Sequence, residues 1–305
     1  MKKYIFSVAM LLATGLIAGC GGSGTNTSVS TVTTPVSGKV ADGYLVNATV
    51  FLDKNGNYQL DAGEPFAKTD ASGTYTLNID PADAGKYPVV ALATSGVTID
   101  KDTNQPVANS YVLCLPAITV TPSTAGSVTG TVSNFISPMS TLIREKMAAN
   151  PSMTLTDANT QLRNQMNLPV GINMMADYVA GSQSGAYAAH YQTMHTAARQ
   201  MVGLMSGQAG LVMNGTGVNV NRYRGMMATI NTNMPAIAAN VINGQGMNSA
   251  TMTSMMGTMQ TQLGSMPITG GFTNYSSMFR NMTSHNRFWS NTGMPMNPMG
   301  GGMMR

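Results

Sequence analysis

The chain has 305 residues, of which only 9% are charged, far below the roughly 25% of an ordinary soluble protein. The formal net charge is +4 and falls to +2 without Lys2 and Lys3; with no basic cluster present, a nucleic-acid partner is excluded. Nine of the twelve acidic residues lie between Asp42 and Asp102, and none follows Asp177, which keeps paired-carboxylate catalysis and hard-metal sites out of the C-terminal part unless a carboxylate is borrowed from upstream.

Residues 1–19 read as a secretion signal. Lys2-Lys3 is a basic head, and Tyr4 to Ile17 is an apolar run too short for a comfortable membrane span. The run ends in Leu16-Ile17-Ala18-Gly19-Cys20, which resembles a bacterial lipobox. That resemblance implies that Cys20 carries a diacylglycerol group and becomes the first residue after cleavage. Acyl burial of about 0.8 kcal/mol per CH₂ would then hold the chain on a membrane. Gly21 is not the aspartate associated with inner-membrane retention, so the expected location is the outer membrane, facing the periplasm or the surface. With Cys20 acylated, Cys114 has no disulfide partner and reads as a core thiol within Tyr111-Val112-Leu113-Cys114-Leu115.

Residues 20–35 are rich in Gly, Ser and Thr and read as a flexible tether with a reach of roughly 20 Å. Residues 36–121 read as a small antiparallel β-sandwich. Val36–Val40, Ala48–Leu52, Thr74–Ile79, Val89–Ala93 and Tyr111–Val120 are β-rich runs separated by turns.

Between the second and third runs lies Asp53-Lys54-Asn55-Gly56-Asn57-Tyr58-Gln59-Leu60-Asp61-Ala62-Gly63-Glu64. Oxygen-bearing side chains fall at positions 1, 3, 5, 9 and 12 of this loop, the spacing of an EF-hand, which suits a hard cation. Asp53, Asn55, Asn57, Asp61 and Glu64 are the expected calcium ligands, with the carbonyl of Gln59. The alternative is a solvated turn rich in Asn and Asp. Tyr58 stands where such loops carry glycine, so the sharp turn needs a different solution. The segments Val36-Ser37-Gly38-Lys39-Val40, Ala48 to Asp53, Asp61-Ala62-Gly63-Glu64-Pro65 and Thr69 to Tyr75 together resemble the B-type module of serine–aspartate-repeat adhesins. They are also similar to the wider transthyretin-like, carboxypeptidase-regulatory-like sandwiches. The resemblance spans about 45 residues and implies a calcium loop that stiffens a surface module.

Residues 122–134 read as a linker and 135–284 as a helical domain, giving α+β architecture in separate domains. Ser137-Pro138 caps a helix that runs to about Asn150, and Thr156-Asp157 opens a second that ends before Pro169. The stretch from Ile136 through Asn167-Leu168-Pro169 to Val179 is similar to a helical region of proteobacterial lipoproteins, with no activity attached. Further helices are expected at 185–206, at 219–243 with a bend near Pro235, and at 248–265. In the last of these, Met252, Met255, Met256, Met259, Leu263 and Met266 form one stripe.

Of the 28 methionines, 26 follow residue 138. Inside helices they read as adaptable core. Residues 285–305 lose all periodicity and read as a flexible tail. Its His285, Trp289, Met294, Met296, Met299, Met303 and Met304 suit a soft cation, Cu(I) or Ag(I), by their thioethers and π-face. His190 and Met194 share a helix face, whereas His195 lies on another.

Enzyme signatures fail on inspection. Gly181-Ser182-Gln183-Ser184-Gly185 has glutamine where a nucleophile elbow needs serine. A Ser-His-Asp arrangement would need Asp177 or an acid from the β region. The resulting expectation is a non-catalytic envelope lipoprotein, calcium-stabilised, structural or adhesive, whose partners are the membrane and another envelope or surface protein. The alternative is soft-metal binding by the C-terminal thioethers. A helical half packed against lipid is a third reading.

Overall fold

The computed structural model describes residues 32–122 and 134–267. The expectations for the signal segment, Cys20, His285, Trp289 and the five tail methionines fall outside the described residues, as does most of the linker.

Strand β1 (Thr34–Val40) begins inside the stretch read as tether. It pairs antiparallel with β5 (Thr74–Ile79), Val36 opposite Leu77. On β5, Tyr75, Leu77 and Ile79 are buried while Thr76 and Asn78 face out, the alternation of a strand with one face on a core. A second sheet has the order β4-β3-β6-β9, made of β3 (Thr49–Leu52), β4 (Phe66–Lys68), β6 (Val89–Ala93) and β9 (Tyr111–Leu115). Strands β6 and β9 are buried throughout, in keeping with their unbroken apolar runs. β9 stops before Pro116, which has no N–H to give a ladder, and Ala117–Thr119 form a 3₁₀ turn. Short strands β2 (Leu45–Val46), β7 (Ile99–Asp100) and β8 (Gln105–Pro106) make a third, small sheet.

Phe135 and Ile136, read from the sequence as the head of the helical part, form strand β10 instead. It lies parallel to β1, with Lys39 opposite Phe135. Gly38 makes this return possible, because a Cβ there would sit 2.0 Å from the carbonyl oxygen of Asn134.

Helix α1 (Pro138–Ala149) follows at once. Ser137 and Ser140 exchange side-chain and backbone hydrogen bonds in a capping box, with proline at the first helical position; that geometry satisfies N–H groups the helix cannot. Helix α2 (Leu155–Gln165) is capped by Thr154 with Asp157, two residues earlier than expected. A short α3 (Tyr178–Gly181), α4 (Ala188–Gly207) and a short α5 (Ala209–Val212) come next, and a two-residue hairpin, β11 (Met213–Asn214) with β12 (Gly217–Val218), precedes α6 (Val220–Thr232). The bend expected near Pro235 is a break: α6 ends at Thr232 with Asn233 as its cap, and α7 (Met234–Ile242) carries the proline in its first turn. Helix α8 (Ala250–Ser265) buries Met252, Met255, Met259 and Leu263, leaving Met256 and Met266 half-buried.

Strands and helices share one continuous apolar core. The join is made on the outer edge of β9. There the hydroxyl of Thr141 accepts from the Cys114 N–H at 2.8 Å, Ser140 donates to the Cys114 carbonyl at 2.7 Å, and Tyr223 of α6 donates to the Val112 carbonyl at 3.2 Å. An open strand edge would otherwise expose a row of unpaired polar groups. Cys114 is completely buried, and burial pushes its thiol up to about 12, as a core thiol requires. No helix among the described residues is long and apolar enough to cross a membrane.

Candidate functional site

The loop between β3 and β4 is organised by its two end carboxylates. Asp53 is fully buried. One of its oxygens accepts from the N–H groups of Gly56 (2.8 Å) and Asn57 (3.1 Å), and the other from Tyr58 (3.1 Å). Burial raises its carboxyl above the usual range, against the pull of those N–H groups and of Arg144. At the far end Glu64 accepts from the N–H of Lys54 at 2.7 Å and of Asp61 at 3.0 Å, so the loop's mouth is tied shut by backbone donors.

Between the ends, Asn55 and Asn57 each donate a side-chain amide to the same oxygen of Asp61, both at 2.7 Å. The carbonyl oxygens of those amides accept from the N–H of Asn57 and of Gln59. The structure therefore brings Asn55, Asn57 and Asp61 to one point and turns Asp53 and Glu64 onto the backbone. Among the described residues, no three His, Cys, Asp or Glu side chains are arranged to hold a metal. The donor set is all oxygen, three carboxylates and two amides on a single closed loop, which is the chemistry a hard cation takes. In this structure the two amides turn their N–H₂ groups, not their oxygens, to Asp61.

Tyr58 resolves the missing glycine. It adopts φ of +63°, the left-handed region open mainly to glycine, so the sharp turn is made by a tyrosine under strain of order 1 kcal/mol. What holds it there is its side chain, which is 1% exposed. The phenol donates to Glu145 Oε1 at 2.9 Å and accepts from Arg224 Nε at 3.2 Å and from Arg144. Arg144 also pairs with Glu145. The Arg144 guanidinium lies 4.4 Å over the Tyr58 ring, and the Tyr223 ring sits 4.5 Å away. Gln59 approaches the hairpin of β11 and β12, its amide oxygen 3.3 Å from where a Cβ on Gly217 would be.

Sequence reasoning placed Asp53 to Glu64 on a loop and missed the cluster beneath it. The signal was present. Arg144-Glu145 is a pair of opposite charges directly after the apolar Leu142-Ile143, and a tyrosine replaces glycine at the turn; each needs a partner when buried.

A second polar cluster lies elsewhere. His195 of α4 meets an acid of the β region, its Nε2 2.7 Å from Asp102 Oδ2, with the Tyr178 ring stacked at 5.6 Å. That Nε2 has no aligned hydrogen bond. Nearby, Asp42 is buried, one oxygen accepting from Tyr111 at 3.0 Å and the other without a partner. Burial, then Asp100, pushes its carboxyl up to about 7. Met194, Met201 and Met205 on α4 are buried in the core.

Comparison with known protein families, curated proteins and solved structures gives no match.

Proposed function

We propose that the chain is a non-catalytic cell-envelope lipoprotein with a structural or adhesive binding role, stiffened by calcium held in the loop from Asp53 to Glu64. The observation that carries this reading is the spacing of oxygen-bearing side chains at positions 1, 3, 5, 9 and 12 of one closed loop. Its first and twelfth residues both fold inward onto backbone N–H groups, and its third, fifth and ninth meet at one oxygen. On binding, the ion would supply positive charge to Asp61 and its neighbours in place of the two amides. The gain would be stability, because the ion binds only the folded loop. The similarity of residues 36–75 to serine–aspartate-repeat B modules and carboxypeptidase-regulatory-like sandwiches supports the same assignment. The anchor is assigned to Cys20, which places the protein at the outer membrane with another envelope or surface protein as its partner.

The reading is tested by melting the full chain with and without chelator. A lower melting temperature on chelation is expected; no change overturns the calcium assignment. Membrane fractionation of Cys20→Ala tests the anchor, with release expected. Retention in membranes would contradict it.

A further inference from the structure

Helix α2 carries its polar side chains on one face. Thr156, Asn159, Thr160 and Arg163 recur at i, i+3, i+4 and i+7, the spacing of a single helix face, while Ala158 and Leu162 are buried on the other. The polar face lines a cleft of about 320 Å³, within the range of small-ligand pockets. Its other lining is largely apolar: Ile172 and Met175 are buried, and Val170 is 85% exposed. Arg163 is the one charged side chain among the described residues that line the cleft, and it makes no ion pair with any of them. Its guanidinium is held by one long bond, from Nη2 to the Thr160 hydroxyl at 3.3 Å, and its Nε is buried without a partner. A guanidinium presents five donors, and a half-buried charge left without its bonds is costly.

We propose that this cleft binds a small organic acid, with Arg163 taking the carboxylate and Val170, Ile172 and Met175 covering a short apolar chain. One guanidinium balances one carboxylate and matches its two oxygens with a planar fork. A phosphate dianion would keep an unbalanced charge and find no partner in the apolar lining. Turning Arg163 toward a ligand breaks only the long bond to Thr160. Asn173, also on the cleft, spends its side-chain oxygen on the Met175 N–H at 2.9 Å, which leaves its amide N–H₂ to donate. None of the lining residues belongs to the loop of residues 53–64, so the site stands whether or not that loop holds calcium.

The test is an NMR titration of the full chain, isotopically labelled and in detergent, with sodium butyrate, with the uncharged butyramide and with inorganic phosphate. Butyrate is expected to shift the amide signals of Thr156, Thr160, Ile172 and Asn173. Butyramide should bind about tenfold or more weakly, since it lacks the charge that strengthens the bonds to Arg163, and phosphate should leave those signals in place. Arg163→Gln should weaken butyrate by a similar factor. No shift with butyrate, equal binding of butyrate and butyramide, or undiminished binding by Arg163→Gln overturns the proposal. Binding of phosphate through Arg163 in preference to butyrate overturns the carboxylate assignment. Should Arg163→Gln fail to fold, Val170→Glu decides, because that side chain is exposed and packs little. Its added negative charge should weaken butyrate, with the gap from wild type closing as salt screens it; unchanged affinity ends the proposal.

Discussion

The phenol oxygen of Tyr58 donates across 2.9 Å to Oε1 of Glu145, a residue 87 positions further along the chain. This bond ties a loop of the β region to the first long helix. Removing the hydroxyl by Tyr58→Phe leaves Glu145 short of a donor and two arginines short of an acceptor. Hydrogen bonds to charged groups contribute about 1.5–3 kcal/mol each, so denaturant unfolding of Tyr58→Phe should show a loss in that range. A change below about 0.5 kcal/mol would fall to the level of an ordinary surface substitution and would contradict the role.

The edge of β9 makes a separate prediction. Thr141 accepts from the Cys114 N–H and donates to the Ser137 carbonyl, all of them buried. Thr141→Val preserves shape and leaves the Cys114 N–H unpaired, a loss of about 1–3 kcal/mol. Thermal unfolding measures it, and an unchanged melting temperature would mean that the helix does not seal the strand.

Gly38 predicts a packing effect. The Cβ of an alanine there would lie 2.0 Å from the backbone oxygen of Asn134, which also accepts from Tyr75. Backbone cannot swing aside as a flexible side chain does. Gly38→Ala should lose about 1–3 kcal/mol or more, with faster exchange at Phe135 and Ile136. By contrast, Gly85 has open space around it, and the strain of alanine at its φ of +76° is all that Gly85→Ala should show.

Asp42 gives the chain a pH dependence. Its folded value of about 7 lies above its ordinary 3.8, so the folded protein holds the proton more tightly than the unfolded chain. That contribution is complete below the ordinary value and is lost as pH rises through the folded one. Stability should therefore fall between about pH 4 and pH 7, by at most about 1.4 kcal/mol per unit for this one group. Asp42→Asn should flatten that slope and raise stability at pH 8. Urea titrations at several pH values check it; an identical slope in the variant would remove Asp42 as the source.

Much of the architecture was legible for physical reasons. Val89–Ala93 and Tyr111–Leu115 are unbroken apolar runs, and they became buried strands. Ser137-Pro138 is a helix start written in two residues, and the α8 stripe repeats at the helical period. Strands of two or three residues, such as Leu45–Val46 and Gln105–Pro106, are too short to carry any period. The fate of Phe135-Ile136 depended on β1, nearly a hundred residues away in sequence, and no local pattern encodes a parallel partner. In the loop, spacing identified Asp53, Asn55, Asn57, Asp61 and Glu64 as one group. It could not show that Asp53 and Glu64 turn to backbone N–H groups, since that depends on the path of the chain between them. Tyr58 read as a flaw in the motif because its partners Arg144, Glu145 and Arg224 lie on helices far downstream.

Calorimetric titration of calcium into the full chain, beside Glu64→Gln, tests the central claim most directly. The account predicts one calcium per wild-type chain, with a dissociation constant of about 0.1–1 mM, the range of extracellular modules, and no binding to the variant. Absence of binding to wild type, or equal binding by both proteins, would contradict it.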